Sequence, residues 1–279
     1  MLTVACIKQV PDTTQVRIDP ETNALIREGI PFIINPYDVH ALEESLRFQD
    51  RFGLRSVALS MGPLNAEAAL RRALALGAES AVLLSDRCFG GADTLATSRV
   101  LAAAIARLAE KEELAAVFCG KQTIDGDTAQ VGPGIAAHLG LQQLTLVDRV
   151  ESFDAQNRRI RVRRRLEDRQ EIVEAPLPVL ITVVRELNRP RYPTVPARLA
   201  AAKAKLEIWD NQVLRLDTAQ VGFKGSPTVV KRIFSPEQKP GEMLGDGLRD
   251  PEAAVDLLMR RLREREVLQS PFDGSGGQS

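Results

Sequence analysis

The chain has 279 residues, 44% of them hydrophobic, which is enough to bury at least one full core. Lysine plus arginine and aspartate plus glutamate are equal at 37 each, so no net field draws the protein toward nucleic acid or an anionic membrane, and any partner must be recognised locally. The three cysteines, Cys6, Cys88 and Cys119, lack metal-ligand spacing and read as buried, reduced structural thiols.

The opening "MLTVACIKQVPD" is a short strand that meets a charge and a proline too early for a signal-peptide core. No apolar run reaches the roughly 18 residues of a membrane span, so a cytoplasmic or organelle-matrix protein without a direct membrane span is expected. Short runs that are apolar on both faces, at 2–7, 55–61, 80–85 and 115–120, read as parallel strands covered by helices. Between them the helices have readable ends. Asp38 is expected to cap one that carries Leu42, Leu46 and Phe48 and stops near Gly53; Asn65 precedes a second through Leu70 and Leu74 to Gly77; Asp93 caps a third with Leu101, Ile105 and Leu108 on one face. This alternation predicts an α/β fold with a doubly wound, mostly parallel sheet.

The pattern changes after Gly140. Residues 144–184 read as an antiparallel ribbon turning near Glu167 and Asp168, which completes a domain over 1–186. The arginines from Arg158 to Arg165 face Glu167, Asp168, Glu171 and Glu174 across the hairpin and lack interleaved aromatics, so a solvated ribbon face is expected and not a nucleic-acid patch. Residues 187–250 are proline-broken, then basic and alanine-rich, and read as an extended arm that wraps a partner chain. Asp250-Pro251-Glu252 starts a helix over 251–267 with Val255, Leu258, Met259 and Leu262 on one face, and 268–279 is a flexible tail.

Ligands of open parallel sheets bind beyond the carboxyl ends of the strands. The residues there are Lys8-Gln9, Gly62-Pro63, the loop 86–98 and "GKQTIDGDTAQVGPG" at 120–134. They hold glycines and hydroxyls but neither histidine, since His40 and His138 fall inside helices, and this points to a nucleotide-sized ligand held by backbone amides. Gly126 allows close backbone approach, Asp127 or Thr128 can cap the next helix, and Thr128, Gln130 and the free amides of that turn can hold a phosphate. A plain capped strand-to-helix loop accounts for the same residues. Two carboxylates would repel a phosphate, so at least one of Asp125 and Asp127 must face away. "GGADT" resembles the pyrophosphate loop of ATP pyrophosphatases, but Phe89 stands at its head and it follows the third strand. No Walker motif, strand-linked G-x-G-x-x-G, H-E-x-x-H or G-x-S-x-G is present, so acid/base catalysis by side chains of this chain is not expected.

"CIKQVPD", "INPYD", "LSMGP", "ALALGA", "GKQTIDGDTAQVGP", "VRRRLEDRQEIVEAPLPVLIT" and "PRYPTVPARLAAAKAK", in this order and spacing, resemble the beta subunit of electron-transfer flavoproteins over nearly the whole chain. Arg169 stands where that family usually has glycine or an acid. The resemblance implies a Rossmann-like adenine-nucleotide-binding fold and a heterodimer with an alpha subunit that carries FAD. It implies a nucleotide pocket at Cys6, at Asn35, Pro36, Tyr37 and Asp38, at Met61, and along Lys121, Gln122, Thr123, Ile124, Asp125, Gly126, Asp127, Thr128, Ala129, Gln130, Val131 and Gly132. It also implies docking of the redox partner through Val195. "NPYD", "IDGDTAQVGP", "GGADTLATS" and "GFKGSPTVVKRIF" look like the electron-bifurcating branch, which includes the nitrogen-fixation Fix-type proteins. In that branch the pocket holds FAD, with Asp93, Thr94 and Thr97 near its additional phosphate or ribityl chain and Tyr37 toward the nicotinamide or isoalloxazine side. Gly225, Ser226 and Thr228 are candidates for the ring's surroundings, although a Gly-Ser-Pro turn explains them equally well. The implied electron path runs from NADH to ferredoxin or flavodoxin and, through the alpha-subunit FAD, to a quinone oxidoreductase or an acyl-CoA pathway. The alternative is a plain carrier with structural AMP, reduced by acyl-CoA dehydrogenases.

Overall fold

The computed structural model describes residues 1–12, 17–18, 25–26, 31–229 and 241–267. In chain order these residues form β1 (Leu2–Cys6), β2 (Gln9–Pro11), β3 (Arg17–Ile18), β4 (Leu25–Ile26), β5 (Phe32–Ile34), α1 (Pro36–Phe52), β6 (Arg55–Met61), α2 (Glu67–Leu76), β7 (Ser80–Leu84), α3 (Thr94–Ala109), β8 (Leu114–Gly120) and α4 (Val131–Leu139). There follow β9 (Gln142–Asp154), β10 (Arg159–Arg165), β11 (Gln170–Pro176), β12 (Val179–Val183), α5 (Val195–Lys203), β13 (Glu207–Trp209), α6 (Asn211–Leu214) and α7 (Pro251–Glu264).

The main sheet has nine strands in the order β11-β10-β9-β12-β8-β1-β6-β7-β13. From β13 to β9 every neighbouring pair is parallel, and only β9-β10 and β10-β11 are antiparallel. Alternate residues of each central strand serve opposite faces. Leu2, Val4, Val57, Leu59, Val82 and Leu84 pack with Leu101 and Ile105 of α3 and Ile135 of α4. Ala5, Ala58, Ala81 and Leu83 turn the other way, onto Leu42 and Leu46 of α1 and Leu70 of α2. A doubly wound core is the result. On the α1 side Phe48 makes edge contacts with Phe52, Phe118 and Phe153 at centroid separations of 5.3, 5.2 and 5.0 Å, which ties α1 to β8 and β9.

Several expectations are refined. Asp38 does not cap α1: Asn35 precedes the helix, Pro36 begins it, and Asp38 lies in the first turn with its carboxylate turned elsewhere. Neither Asp127 nor Thr128 caps α4; the N-cap position is Gln130, with no side-chain cap. Cys6 and Cys119 are buried as expected, but Cys88 is only half-buried. The ribbon is a three-stranded meander, since β9 precedes the hairpin. Its arginines pair as foreseen, Arg159 with Glu174 and Arg164 with Glu171, and Arg163 forks onto buried Asp148 at 2.8 and 3.1 Å.

The first compact unit spans Met1–Val229, beyond the boundary at 186. Residues 187–229 are more regular than an extended arm. Thr194 caps α5, and β13 joins the sheet beside β7. The proline-rich spelling hid this because the elements are too short for periodicity to show. In the second unit Asp250 caps α7 by accepting from the Ala253 N–H at 3.0 Å, and Arg261 pairs with Glu242. The tail 268–279 and the 230–234 part of "GFKGSPTVVKRIF" lie outside the described residues.

Candidate nucleotide site

The strand order reverses at β1: the chain passes from β1 to β6 on one side and later places β8 on the other. Loops leaving β1 and β8 therefore diverge and open a crevice at their carboxyl ends. A cavity of about 930 Å³ occupies that place. Its floor is made by the ends of β1 and β8, at Cys6, Cys119 and Gly120, with Asp38 below them.

Asp38 joins three elements. Its two carboxylate oxygens accept from the Lys8 N–H at 2.8 Å and the Gly120 N–H at 3.1 Å. Burial pushes its carboxyl up to about 7, although hydrogen bonds from Asn35, Lys8 and Gly120 and the Lys8 charge act in the opposite sense. A side chain at position 120 would collide with the Asp38 carboxylate and come within 2.7 Å of Tyr37 Cβ, so the glycine is required by close approach. Above the floor, Asn35 clamps the β8–α4 loop: its Nδ2 donates to the Gln122 carbonyl at 2.9 Å and its Oδ1 accepts from the Ile124 N–H at 3.2 Å. Lys8 Nζ grips Asp125 at 2.7 Å.

Two helix N-termini face the cavity and differ electrically. At α4 no side chain caps the first turn, Pro133 has no N–H to offer, and the amides of Val131 and Gly132 lack partners within the helix. That end favours an anion. At α3 the Asp93 carboxylate already fills the corresponding place, accepting from the Ala96 N–H at 3.0 Å through one oxygen. Its other oxygen accepts from the Thr228 N–H at 3.1 Å and the Thr228 hydroxyl at 2.8 Å. Burial opposes ionisation of Asp93, but these hydrogen bonds outweigh it and hold its carboxyl below the usual range. The α3 end thus repels a further anion and presents hydroxyls, Thr94 and Thr97. Thr94 Oγ1 donates to Gln130 Oε1 at 3.1 Å, which links the two ends.

Residues 22–214 match the family described as electron transfer flavoprotein domain. The chain belongs to the electron transfer flavoprotein family. It is 50% identical to the protein FixA of Bradyrhizobium diazoefficiens, with 92% of this chain and 95% of that one covered. It is 45% identical to the protein FixA of Azotobacter vinelandii over 94% of each. It is also 48% identical to the electron transfer flavoprotein subunit beta of Clostridium acetobutylicum, over 95% of this chain and 99% of that one.

In this electron transfer flavoprotein chain most of the residues singled out from the sequence meet around the cavity. Cys6, Asp38, Met61, Asp93, Thr94, Thr97 and Thr228 line it, together with Lys121, Gln122, Thr123, Gly126 and Thr128 to Gly132. Asn35, Pro36, Tyr37, Ile124, Asp125, Asp127, Gly225 and Ser226 are not on its wall. Tyr37 instead lies under Lys121 and Arg185, at 5.9 and 4.9 Å from its ring centroid. Gly225 sits where any side chain would strike the Gln220 backbone. Ser226 Oγ accepts from the Asp93 N–H at 2.8 Å, so these two shape the strap that carries Thr228. Cys119 is a lining residue that the sequence placed in the core and not at the ligand. Its only signal was position, at the end of an apolar strand preceding the glycine-rich loop.

Among the described residues no helix is long and apolar enough to cross a membrane. Val195, the first residue of α5, is 69% exposed, with Tyr192 and Leu199 exposed beside it. The segment before it is tied down: Arg191 forks onto Glu43 at 3.0 and 3.2 Å and reaches Asp50 at 2.7 Å, while Asn188 donates to buried Glu44 at 2.9 Å.

Proposed function

We propose that this chain is the FAD-binding beta subunit of a heterodimeric electron transfer flavoprotein that takes electrons from NADH by flavin-based bifurcation. The observation that carries the reading is the asymmetry of the cavity, with an anion-favouring helix end at α4 and a hydroxyl-bearing, anion-repelling end at α3. That asymmetry suits a ligand with phosphates at one end and a neutral polyol beyond them. When bound, FAD supplies acceptance of hydride from NADH, delivery of one electron to ferredoxin or flavodoxin and of the other to the alpha-subunit FAD and onward to a quinone oxidoreductase or acyl-CoA pathway.

The side chains of this chain bind and orient. Thr128, Gln130 and the amides of Val131 and Gly132 hold the diphosphate and ribose, with Lys121 adding positive charge. Thr94 and Thr97 hold the polyol, and Asp93 fixes Thr228 opposite them. Tyr37, off the wall, belongs to the nicotinamide-facing side. Val195 is the anchor for a redox partner, stiffened by the prolines on either side of Thr194-Val195. The three free cysteines suit a reducing compartment, here the cytoplasm.

The second reading, a carrier with structural AMP and electrons from acyl-CoA dehydrogenases, draws on the α4 end alone, which suffices for one phosphate. A nucleotide inventory separates the two. The chain is co-expressed with its alpha partner, the complex is denatured, and released FAD and AMP are counted. Two FAD and no AMP per heterodimer is the expected result; one of each would overturn the bifurcation reading. Gly126→Asp sharpens the test, because a Cβ there meets only Thr123 Oγ1 at 3.4 Å. The nucleotide-free variant should melt at the same temperature as nucleotide-free wild type, yet its affinity for FAD should fall by about tenfold or more, since it puts a carboxylate on the cavity wall. Full loading would sink the role given to that glycine.

A further inference from the structure

Cys6 and Cys119 are Cα partners on the adjacent parallel strands β1 and β8. Residues so paired project to the same face of a sheet, about 4.8 Å apart at the backbone. Both side chains are buried, both line the cavity, and both belong to the same core cluster, so the two thiols are near neighbours. The pair is therefore a preformed two-sulfur element at the floor of a large cavity. Cys88, the remaining cysteine, is engaged elsewhere, near Asp86 at the start of the loop before α3.

We propose that Cys6 and Cys119 form a bidentate thiol site that takes a thiophilic group able to bridge two neighbouring sulfurs, with trivalent organoarsenicals as the matching class. The reaction needs no oxidant. An arsenic(III) oxide R–As=O gives up its oxygen, two As–S bonds form, and the two thiol protons leave with that oxygen as one water. The single arsenic atom spans two sulfurs held on directly paired positions of neighbouring strands, and its organic substituent projects into the cavity. Cys6 beside it, burial and nearby Asp38 hold the Cys119 thiol well above its usual range, so a reagent that needs the free Cys119 thiolate is disfavoured. The inference does not depend on which nucleotide the cavity binds.

The test uses the full-length chain, dialysed exhaustively and treated anaerobically with phenylarsine oxide. Intact mass should show about one adduct per chain that survives excess 2-mercaptoethanol and is removed by 2,3-dimercaptopropanol. Peptide mapping of the wild-type adduct should join the Cys6 and Cys119 peptides, a result that needs no variant. Cys88→Ser should keep the adduct; Cys6→Ser and Cys119→Ser, or the alanine variants where serine impairs folding, should each lose it. No adduct on the wild type, or one that persists without Cys6 and without Cys119, would overturn the proposal.

Discussion

Asp38 couples the two strands that flank the crevice, because one carboxylate holds the amides at the ends of both. Its folded value of about 7 exceeds the ordinary 3.8, so the native state favours the protonated form. The stability it contributes is present in full below about pH 3.8 and is lost as pH rises through about 7. At about 1.36 kcal/mol per pH unit of difference, wild type should lose about 2–3 kcal/mol relative to Asp38→Asn between pH 5 and pH 8. Guanidinium unfolding of both proteins at the two pH values measures this directly; a constant difference would refute it. Gly120 is constrained by the same contact. Adding one methyl there displaces Asp38 or Tyr37, and Gly120→Ala should cost at least about 2–3 kcal/mol in the same assay.

At the scale of elements, Phe48 shows how α1 is held. It contacts rings from its own helix, from β8 and from β9, so Phe48→Ala should destabilise the fold by about 3–5 kcal/mol. Nucleotide content should be unchanged, because Phe48 packs on the sheet face away from α3 and α4; denaturant titration and ligand release report the two effects separately. The central strands and their helices were legible because they are long and apolar, and burial on both faces leaves a plain record in sequence. The rule that ligands gather beyond strand ends located Lys8, Gly62, the 86–98 loop and the 120–134 loop without any contact being known. What escaped was of a different kind. Asp38 looked like a cap because a helix-start carboxylate is the commonest reading, and nothing local reveals that its acceptors serve residues 30 and 82 positions away. Cys119 escaped because a buried thiol in a strand looks alike whether its neighbour is a leucine or another cysteine. β13 escaped because three residues are too few for any period to register.

At the scale of the whole molecule, the proposed sites of nucleotide loading and partner docking sit on different parts of the first unit. The cavity lies at the carboxyl ends of β1 and β8, while Val195 stands at the head of α5, past the Arg191–Glu43 fork. Val195→Ala should therefore leave nucleotide content intact and slow electron exchange with the redox partner by about three- to tenfold, the effect of a small apolar anchor worth about 1 kcal/mol. Stopped-flow reduction of the partner measures it, and an unchanged rate would remove Val195 from the docking surface. The late strand β13 gives the molecule a built-in optical gauge. Trp209 is the chain's single tryptophan, is buried, and donates from its indole N–H to Glu207 at 3.0 Å. Its emission wavelength therefore reads whether the outermost strand is seated on β7. Detachment of that edge can be followed as a red shift in the unlabelled protein, ahead of and apart from any loss of the cavity.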